Sequence, residues 1–354
     1  MKVAIVGGNG NIGFHVAEHL LKLGHEVFCL NRRLSGNIPD GAQHILCDRN
    51  DEQAFIKTVR SWRFDMAIDM ICYNAQHAEC SVQAFQDVKH LVVCSSVATY
   101  GRKFATLPVT ESCPANPQTD RNLAYAVGKH EADLIFLQAY QDSGFPVTFL
   151  KPSISYGPKM GLLRQIGMDA KFINRIETGR PIIVAGDGIA LHQFMYVDDV
   201  GRVFALLLGK TETIGESFNL AQFQPISWHD YHQTVMEVLG YEVEQIGVPA
   251  DVLNRLNSAR NIQITDLFWE NCYFSTAKLQ SVLPEFHPQY SLKDGIKIVI
   301  ESLKSQNRVQ HCRKNDWEDL LINAIRRIGI GTLINEAESK NKHIISKLFG
   351  VLKK

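Results

Sequence analysis

The sequence has no net charge, no paired-cysteine motif and no long apolar run. Its 37 basic and 37 acidic side chains cancel over 354 residues, which argues against the basic surface typical of nucleic-acid-binding proteins. None of the eight cysteines forms a Cys-x-x-Cys pair, and a reducing, cytoplasmic location is the simplest interpretation. No apolar run reaches membrane-spanning length, and no signal peptide precedes the first predicted strand. The C-terminal histidines lack metal-ligand spacing, so we predict no metal site.

The chain opens with the pattern of a dinucleotide-binding unit. An apolar run over 2–6 leads into a glycine-rich turn, followed by apolar residues at helical spacing and a second predicted strand over 27–30. Glycines permit the tight turn and let backbone N–H groups approach a pyrophosphate at the helix N-terminus. An ordinary glycine-rich turn is the alternative. We predict cofactor contacts from the turn residues Gly7, Gly10, Asn11, Ile12 and Gly13.

The end of the second strand lacks the acidic residue that commonly binds the ribose of NAD. Asn31, Arg32 and Arg33 stand there instead. Two guanidinium groups can pair with a 2′-phosphate, so we favour NADP(H). The alternative is NAD(H), with both arginines solvated and Asn31 contacting the ribose. Asp48, after the third strand, is a candidate for the adenine edge.

A tyrosine and a lysine stand four positions apart at Tyr125 and Lys129. On a helix this spacing places both side chains on one face. A nearby ammonium lowers the pKa of a phenol, so we expect Lys129 to make Tyr125 a usable acid or base near neutral pH. A hydroxyl upstream can hold the substrate oxygen. Ser96 is the candidate for that role, and Thr99 is the fallback.

Strands and helices alternate through the first half of the chain. Predicted helices over 51–61, 75–87 and 122–143 separate strands near 67–70, 90–95 and 147–151. This order predicts a doubly wound, Rossmann-type parallel sheet, whose ligands bind at the carboxyl ends of the strands. We assign 1–155 to the dinucleotide-binding core, with returns to the sheet near 190–221. Residues 156–303 are assigned mainly to substrate binding, and 304–354 to a helical tail.

These motifs resemble the extended short-chain dehydrogenase/reductase family, which holds NAD-dependent epimerases and dehydratases. The resemblance covers roughly residues 1–300 and rests on the glycine turn, the strand-end serines, the Tyr125/Lys129 pair, Tyr156-Gly157-Pro158 and Met195–Val200. It implies that Tyr125 is the acid/base, that Lys129 also holds the nicotinamide ribose, and that Ser96 meets the substrate oxygen. The Asp of Asp198-Asp199 is expected to cap a helix. We also predict cofactor contacts by Met70 and Pro152, and substrate contacts by Tyr156.

Two departures from the family pattern bear on the substrate. Lys151 stands where many sugar-nucleotide members have Arg, and Ile154 occupies the place of an Asn. His192 begins the segment that often reads Arg-Asp-Phe. Lys and His can meet a phosphate, but less like a fork, and we keep His192 as a substrate contact. The segment 68–74 and the pair Gln193-Phe194 look more like a divergent branch of the family, which includes the chloroplast stem-loop binding proteins.

The tail carries a local charge of +6, from 11 basic and 5 acidic residues after position 301. Asn315 is predicted to cap a helix with an apolar stripe, and a second amphipathic helix follows around 344–352. Packing against protein is favoured over contact with a membrane surface.

Three functions remain open from the sequence. The first is an epimerase, dehydratase or ketoreductase acting on a sugar, with a sugar nucleotide favoured, or on a similar hydroxylated small molecule. The second is NADPH-dependent reduction of a secondary-metabolite ketone. The third is a non-catalytic dinucleotide- or RNA-binding relative, which is disfavoured because residues 1–301 carry a net charge of −6. By family analogy, the chain is expected to form a homodimer.

Overall fold

A computed structural model describes residues 1–33, 37–260, 264–313 and 316–329. The chain divides into two compact units that are interleaved along the sequence. The first unit comprises Met1–Met160, Gln193–Pro225 and Cys272–Ser291. The second comprises Gly161–His192, Ile226–Asn271 and the chain from Leu292 onward. The assignment of 156–303 to substrate binding stays a prediction.

The strands of the described residues, in chain order, are β1 Lys2–Val6, β2 Glu26–Asn31, β3 Gln43–Leu46, β4 Met66–Asp69, β5 Leu91–Cys94, β6 Val147–Pro152, β7 Ile154–Tyr156, β8 Ile182–Ala185, β9 Leu191–His192, β10 Phe194–Tyr196, β11 Ser217–Leu220, β12 Ile226–Ser227 and β13 Gln245–Val248. The helices are α1 Asn11–Lys22, α2 Glu52–Trp62, α3 Ala75–Ala84, α4 Leu123–Ser143, α5 Lys171–Glu177, α6 Val197–Leu207, α7 Trp228–Leu239, α8 Ala250–Arg260, α9 Ala277–Val282, α10 Leu292–Ser305 and α11 Trp317–Ile328.

The first unit is built on a parallel sheet in the order β11-β6-β5-β4-β1-β2-β3. Strand order reverses on the two sides of β1, so the carboxyl ends of β1 and β4 flank a switch point where such sheets bind ligands. The sheet confirms the predicted α/β class. Strands β1 to β6 lie within a residue or two of the segments read from the sequence.

Both faces of this sheet are covered by helices, which is why its strands read as continuous apolar runs. Val3 and Ile5 of β1 join a core cluster with α1 and α6. Ala4 and Val6 of the same strand point to the opposite cluster, with α2, α3 and α4. Successive side chains of β1 enter opposite cores because side chains alternate between the two faces of an extended strand.

The second unit has its own core between the parallel pair β8–β13 and helices α8 and α11. Leu321 and Ile322 of α11 are buried there. Asp316, rather than the predicted Asn315, caps α11 by accepting a hydrogen bond from the Asp319 backbone N–H at 3.0 Å. The predicted helix around 344–352 lies outside the described residues. Within those residues, none of the helices has both the length and the apolar character needed to cross a membrane.

Candidate active site

The glycine-rich turn after β1 depends on close backbone approach. A Cβ at Gly13 would lie 2.3 Å from the Gly7 carbonyl oxygen, a distance no side chain tolerates. Gly7 has a φ of +87° and donates its N–H to the Leu30 carbonyl oxygen at 2.9 Å. Helix α1 then begins at Asn11, and no side chain caps its first turn. The backbone N–H groups of that turn therefore suit an anionic group such as a pyrophosphate.

The polar residues at the end of β2 differ in their exposure to solvent. Asn31 is buried; its Oδ1 accepts a hydrogen bond from the Asn9 backbone N–H at 3.2 Å, and its Nδ2 contacts His44 Nε2 at 2.9 Å. This occupied amide braces the glycine turn, which disfavours the alternative of a ribose contact by Asn31. Arg32 and Arg33 are exposed. Asp48 is exposed too, and its Oδ1 accepts hydrogen bonds from Asn50 within its own loop.

The proposed proton-transfer residues meet at the end of β5. The Ser96 hydroxyl lies beside the Tyr125 phenol, close enough to favour its ionised form and so lower its pKa. Lys129 is buried, and its Nζ donates to the Cys94 carbonyl oxygen at 2.6 Å. That ammonium lies 4.7 Å from the ring centre of Tyr73 and 5.9 Å from that of Tyr125. The structure thus brings together the three residues predicted from spacing, and adds Tyr73 as a neighbour.

The expected lowering of the Tyr125 pKa is wrong for this arrangement. Burial, with a further contribution from the Cys94 and Asp133 charges, raises the pKa of Tyr125 to about 12, and the nearby Ser96 hydroxyl opposes the rise. Lys129 lies toward the ring and is bound to a backbone carbonyl, so its charge is not directed at the phenol oxygen. The phenol is therefore protonated near neutral pH.

Close approach of α4 to the end of β4 is possible because position 128 is glycine. A Cβ there would lie 2.4 Å from the Tyr73 carbonyl oxygen. Gly128 directly precedes Lys129, so this contact sets the distance between Lys129 and Tyr73. The glycine between Tyr125 and Lys129 was visible in the sequence, but its neighbour Tyr73, in the loop after β4, was not.

Thr99 does not fit its fallback role, because it is fully buried and its hydroxyl is occupied. Its Oγ1 donates to the Ser96 carbonyl oxygen at 2.9 Å and accepts from Lys151 Nζ at 2.8 Å. Lys151 also binds Asp133 Oδ2 at 2.8 Å. The lysine that replaces the family arginine is therefore committed to partners inside the first unit, which disfavours it as a phosphate ligand.

The remaining predicted contacts are buried. Met70 and Pro152 lie at the ends of β4 and β6, and Met70 borders Gly7. Tyr156 is 1% exposed and packs edge-on against Tyr196, with ring centres 5.7 Å apart. These positions suit shaping of the site more than direct polar contact with a substrate.

His192 belongs to the second unit and is 2% exposed there. Its Nε2 contacts the Glu270 carbonyl oxygen at 3.0 Å, and its ring packs against Trp228 and Phe268. This environment favours packing over the predicted substrate contact. The same unit holds a cavity of about 580 Å³, lined in part by Asp187, Trp269 and Asn271.

The prediction of an aspartate cap at α6 is wrong. No side chain caps α6, and its two aspartates bind other elements. Asp198 Oδ1 contacts His15 Nδ1 at 3.2 Å and His19 Nε2 at 3.1 Å, which holds the pKa of that carboxyl well below its usual range. Asp199 accepts hydrogen bonds from the backbone N–H groups of Gln289 and Tyr290.

A buried ion pair behind the β4 end was missed by sequence reasoning. Arg49 Nη1 lies 2.7 and 2.9 Å from the two carboxylate oxygens of Asp69, and Ser81 Oγ bridges both side chains. Arg49 and Asp69 are at most 3% exposed. An arginine shortly after β3 and an aspartate at the end of β4 were the local signal, but β2 and β1 lie between these two strands in the sheet.

A protein-family model described as the NAD dependent epimerase/dehydratase family matches residues 3–221. The match spans more than half of the chain and includes the glycine turn, Ser96, Tyr125 and Lys129. The chain belongs to that family. Membership confirms the predicted extended short-chain dehydrogenase/reductase type and the expectation of an NAD(P)-dependent enzyme.

Curated relatives of this epimerase/dehydratase family member are similar at low identity. The 2′-dehydrokanamycin reductase of Streptomyces kanamyceticus is 26% identical over 302 residues, which cover 85% of this chain and 83% of the relative. The chloroplast stem-loop binding protein of 41 kDa b of Arabidopsis thaliana is 26% identical over 234 residues, 62% of this chain and 58% of the relative. The second relative agrees with the branch predicted from the motifs.

Solved structures show the family fold. UDP-glucose 4-epimerase of Thermotoga maritima, solved with UDP-glucose, has a TM-score of 0.67 at 20% identity and covers 87% of this chain and 100% of its own. UDP-glucose 4-epimerase of Thermus thermophilus, solved with NAD, has a TM-score of 0.65 at 20% identity, covering 86% and 99%. At such identities the likeness establishes the fold and leaves the substrate open.

Proposed function

We propose that this protein uses NAD(P)(H) to transfer a hydride at a hydroxyl-bearing carbon of a sugar or similar small molecule, with Tyr125 moving the proton on the substrate oxygen. The observation that carries the proposal is the meeting of Ser96, Tyr125 and Lys129 at the end of β5. These residues share a unit with the glycine turn of β1. The uncapped N-terminus of α1 fits a dinucleotide phosphate.

Each side chain has a defined task in this proposal. Bound nicotinamide would supply or accept the hydride. Ser96 Oγ orients the substrate oxygen beside Tyr125, whose phenol donates or takes up its proton. Lys129 is held by the Cys94 carbonyl and keeps a positive charge beside the phenol ring. By the family resemblance, it would also hold the nicotinamide ribose.

The test compares Tyr125→Phe with the wild-type protein. Nicotinamide absorbance and product chromatography are followed with a panel of UDP-sugars and keto sugars, each with NAD(H) and NADP(H). We expect Tyr125→Phe to lower turnover by about 10²- to 10⁴-fold, the usual contribution of a positioned proton donor. Dinucleotide binding should remain, because the phenyl ring preserves packing.

Tyr241→Phe is the matched control, because Tyr241 is exposed in the second unit. It should leave turnover unchanged. Wild-type turnover by Tyr125→Phe would refute the proposed proton transfer. The dinucleotide that copurifies adds a second distinction: tightly held oxidised cofactor favours a closed epimerase or dehydratase cycle, and consumption of added NAD(P)H favours a reductase.

A specific second candidate is net reduction of a ketone that carries no diphosphate. Two observations favour it. The pKa of Tyr125, raised to about 12, keeps the phenol protonated and suited to donation. Lys151 is bound by Asp133 and Thr99, which leaves no phosphate clamp at that position. Activity with keto sugars and inactivity with UDP-sugars would support this candidate, whereas the opposite pattern would reject it.

For the cofactor, we propose a preference for NADP(H). Arg32 and Arg33 are exposed at the end of β2, where a 2′-phosphate could pair with them, while Asn31 is occupied inside the fold. Charge-assisted hydrogen bonds contribute about 1.5–3 kcal/mol, or roughly 10- to 100-fold in affinity.

The double substitution Arg32→Ala/Arg33→Ala should therefore weaken NADPH binding by about that factor and leave NADH binding nearly unchanged. Nicotinamide fluorescence titration measures both affinities. Lys22→Ala, which removes an exposed charge at the other end of α1, is the control. Equal losses for the two cofactors would remove the argument for NADP(H). The homodimer stays a prediction, to be checked by light scattering.

A further inference from the structure

A closed path of buried hydrogen bonds joins α4 to the ends of β5 and β6. Asp133 Oδ2 accepts from Ser95 Oγ at 2.7 Å and from Lys151 Nζ at 2.8 Å. Lys151 Nζ also donates to Thr99 Oγ1 at 2.8 Å, and Thr99 Oγ1 donates to the Ser96 carbonyl oxygen at 2.9 Å. The path therefore holds segment 95–99 at both ends, with Ser96 between the two points of attachment.

We infer that Lys151 and Asp133 are positioning residues, whose ion pair fixes segment 95–99 so that Ser96 Oγ stays within reach of the Tyr125 phenol oxygen. Asp133 lies two helical turns after Tyr125 and one after Lys129, so the three side chains share one face of α4. Any shift of the segment relative to that face would change the contact between Ser96 and Tyr125. The inference rests on the proposed function for the importance of Tyr125, but the contact itself is a property of the fold.

Burial explains why this pair is suited to positioning. The side chains of Lys151 and Asp133 are 9% and 14% exposed, and the ammonium lies 5.0 Å from the ring centre of Tyr100. Replacing a buried ion pair by apolar residues is often neutral for stability, so stability alone gives little reason for two charges here. Directional bonds from one ammonium to Asp133 and Thr99 fix a geometry that apolar packing does not specify.

Several charged or titratable groups reach the Tyr125 phenol, so one substitution cannot be interpreted alone. Burial and the charges of Cys94, Asp133 and Asp120 raise its pKa, and the nearby Ser96 hydroxyl lowers it. Lys129 faces the Tyr125 ring at 5.9 Å, and the Tyr73 ring lies 6.4 Å away. Removing the charge of Lys151 would leave Asp133 less neutralised and act on Tyr125 directly. The test must cancel that direct effect.

A double-substitution cycle on the full chain cancels the direct effect of the Lys151 charge on Tyr125. 3,5-Difluorotyrosine is placed at position 125, because fluorine withdraws electrons and lowers the phenol pKa into a pH range in which the protein stays folded. Fluorine NMR then follows its ionisation in the wild-type background, Ser96→Ala, Lys151→Met and Ser96→Ala/Lys151→Met. The measured quantity is the shift caused by Ser96→Ala in each background. The direct charge effect of Lys151 is common to both Lys151→Met proteins and cancels.

We expect Ser96→Ala to raise the ionisation midpoint by on the order of one pH unit in the wild-type background, because a hydrogen bond to the charged form is lost. In the Lys151→Met background the same substitution should shift it little. In Lys151→Arg, which keeps the charge, the full shift should return. An equal shift with and without Lys151 would overturn the inference, and so would loss of the shift in Lys151→Arg.

Asp133→Asn provides the same cycle if Lys151→Met fails to fold, as judged by circular dichroism. It removes the partner charge and keeps an amide of the same shape, and a retained Ser96→Ala shift in this background would likewise overturn the inference. No substrate or cofactor enters the measurement. Failure of the proposed catalysis, seen as an active Tyr125→Phe protein, is therefore distinguishable from failure of the positioning role.

Discussion

His90, directly before β5, is a buried imidazole whose two nitrogens have fixed roles. The Gly209 backbone N–H donates to its Nδ1 at 2.9 Å, so Nδ1 must be unprotonated. Nε2 therefore carries the hydrogen and donates to Thr148 Oγ1 at 2.8 Å, and that hydroxyl donates in turn to the Thr213 carbonyl oxygen at 2.7 Å. A second proton on the ring would place two donors face to face. His90 is 1% exposed, and burial lowers its pKa from 6.5 to about 4.

The lowered pKa makes the stability of the first unit depend on pH. Between pH 6.5 and about 4, the unfolded chain binds a proton at His90 that the native protein does not, so the free energy of unfolding falls as the pH falls. A difference of 2.5 units, from 6.5 to about 4, corresponds to about 3 kcal/mol when the full window is crossed. At pH 5 the linkage relation gives a loss of about 2 kcal/mol relative to pH 7.5.

His90→Gln tests this value, because the glutamine amide can keep one donor and one acceptor without titrating. Urea unfolding at pH 7.5 and pH 5, at constant ionic strength, gives the pH-dependent loss for each protein. We expect that loss to be about 2 kcal/mol smaller in His90→Gln than in the wild-type protein. His229→Gln is the control, since its side chain is 51% exposed and should alter the loss by less than about 0.5 kcal/mol. A pH-dependent loss that is the same in His90→Gln and wild type would refute the reasoning.

Two further predictions concern packing and charge. Gly128→Ala should destabilise the first unit by about 1–3 kcal/mol in urea unfolding, because its Cβ would lie 2.4 Å from the Tyr73 carbonyl oxygen; unchanged stability would show that α4 moves freely. Glu318→Gln should cost about 3–5 kcal/mol in the second unit, since Arg164, bonded to both Glu318 oxygens at 2.7 Å, is left as a buried charge. Glu244→Gln is the control, because Glu244 pairs with Arg326 at the surface, and it should lower the free energy of unfolding by less than about 1 kcal/mol. Equal losses of stability in the two glutamine variants would contradict the argument.

Local sequence signals predicted the fold where burial on both sheet faces leaves a strong pattern. Strand β1 reads as an unbroken apolar run because alternate residues enter two different cores. Helix α7 likewise has a local start signal, because Ser227 directly precedes it and caps it by accepting a hydrogen bond from the Asp230 N–H at 3.0 Å. The Tyr125/Lys129 pair could be predicted from helical spacing, because the relative position of two residues on one helix is set by local geometry.

The parts of the site that sequence reasoning missed depend on contacts between distant segments. Lys151 was interpreted only as a weaker substitute for the family arginine, because its partners Asp133 and Thr99 lie on elements distant in sequence. Asp133 could have been found, since it continues the four-residue spacing of Tyr125 and Lys129. The direction of the Tyr125 pKa depends on burial by the surrounding fold, which spacing alone does not contain.

Because the two units are interleaved along the sequence, the strands of the first unit are synthesised in two separate stages. When residues up to Met160 have left the ribosome, β1 to β6 are complete, but β11, which pairs with β6, lies beyond the whole Gly161–His192 segment. During that interval β6 presents an unpaired edge with the sequence VTFLKP. An open apolar edge is a template for pairing with another chain. We therefore expect the time taken to translate residues 161–220 to set how long the nascent protein is exposed to aggregation.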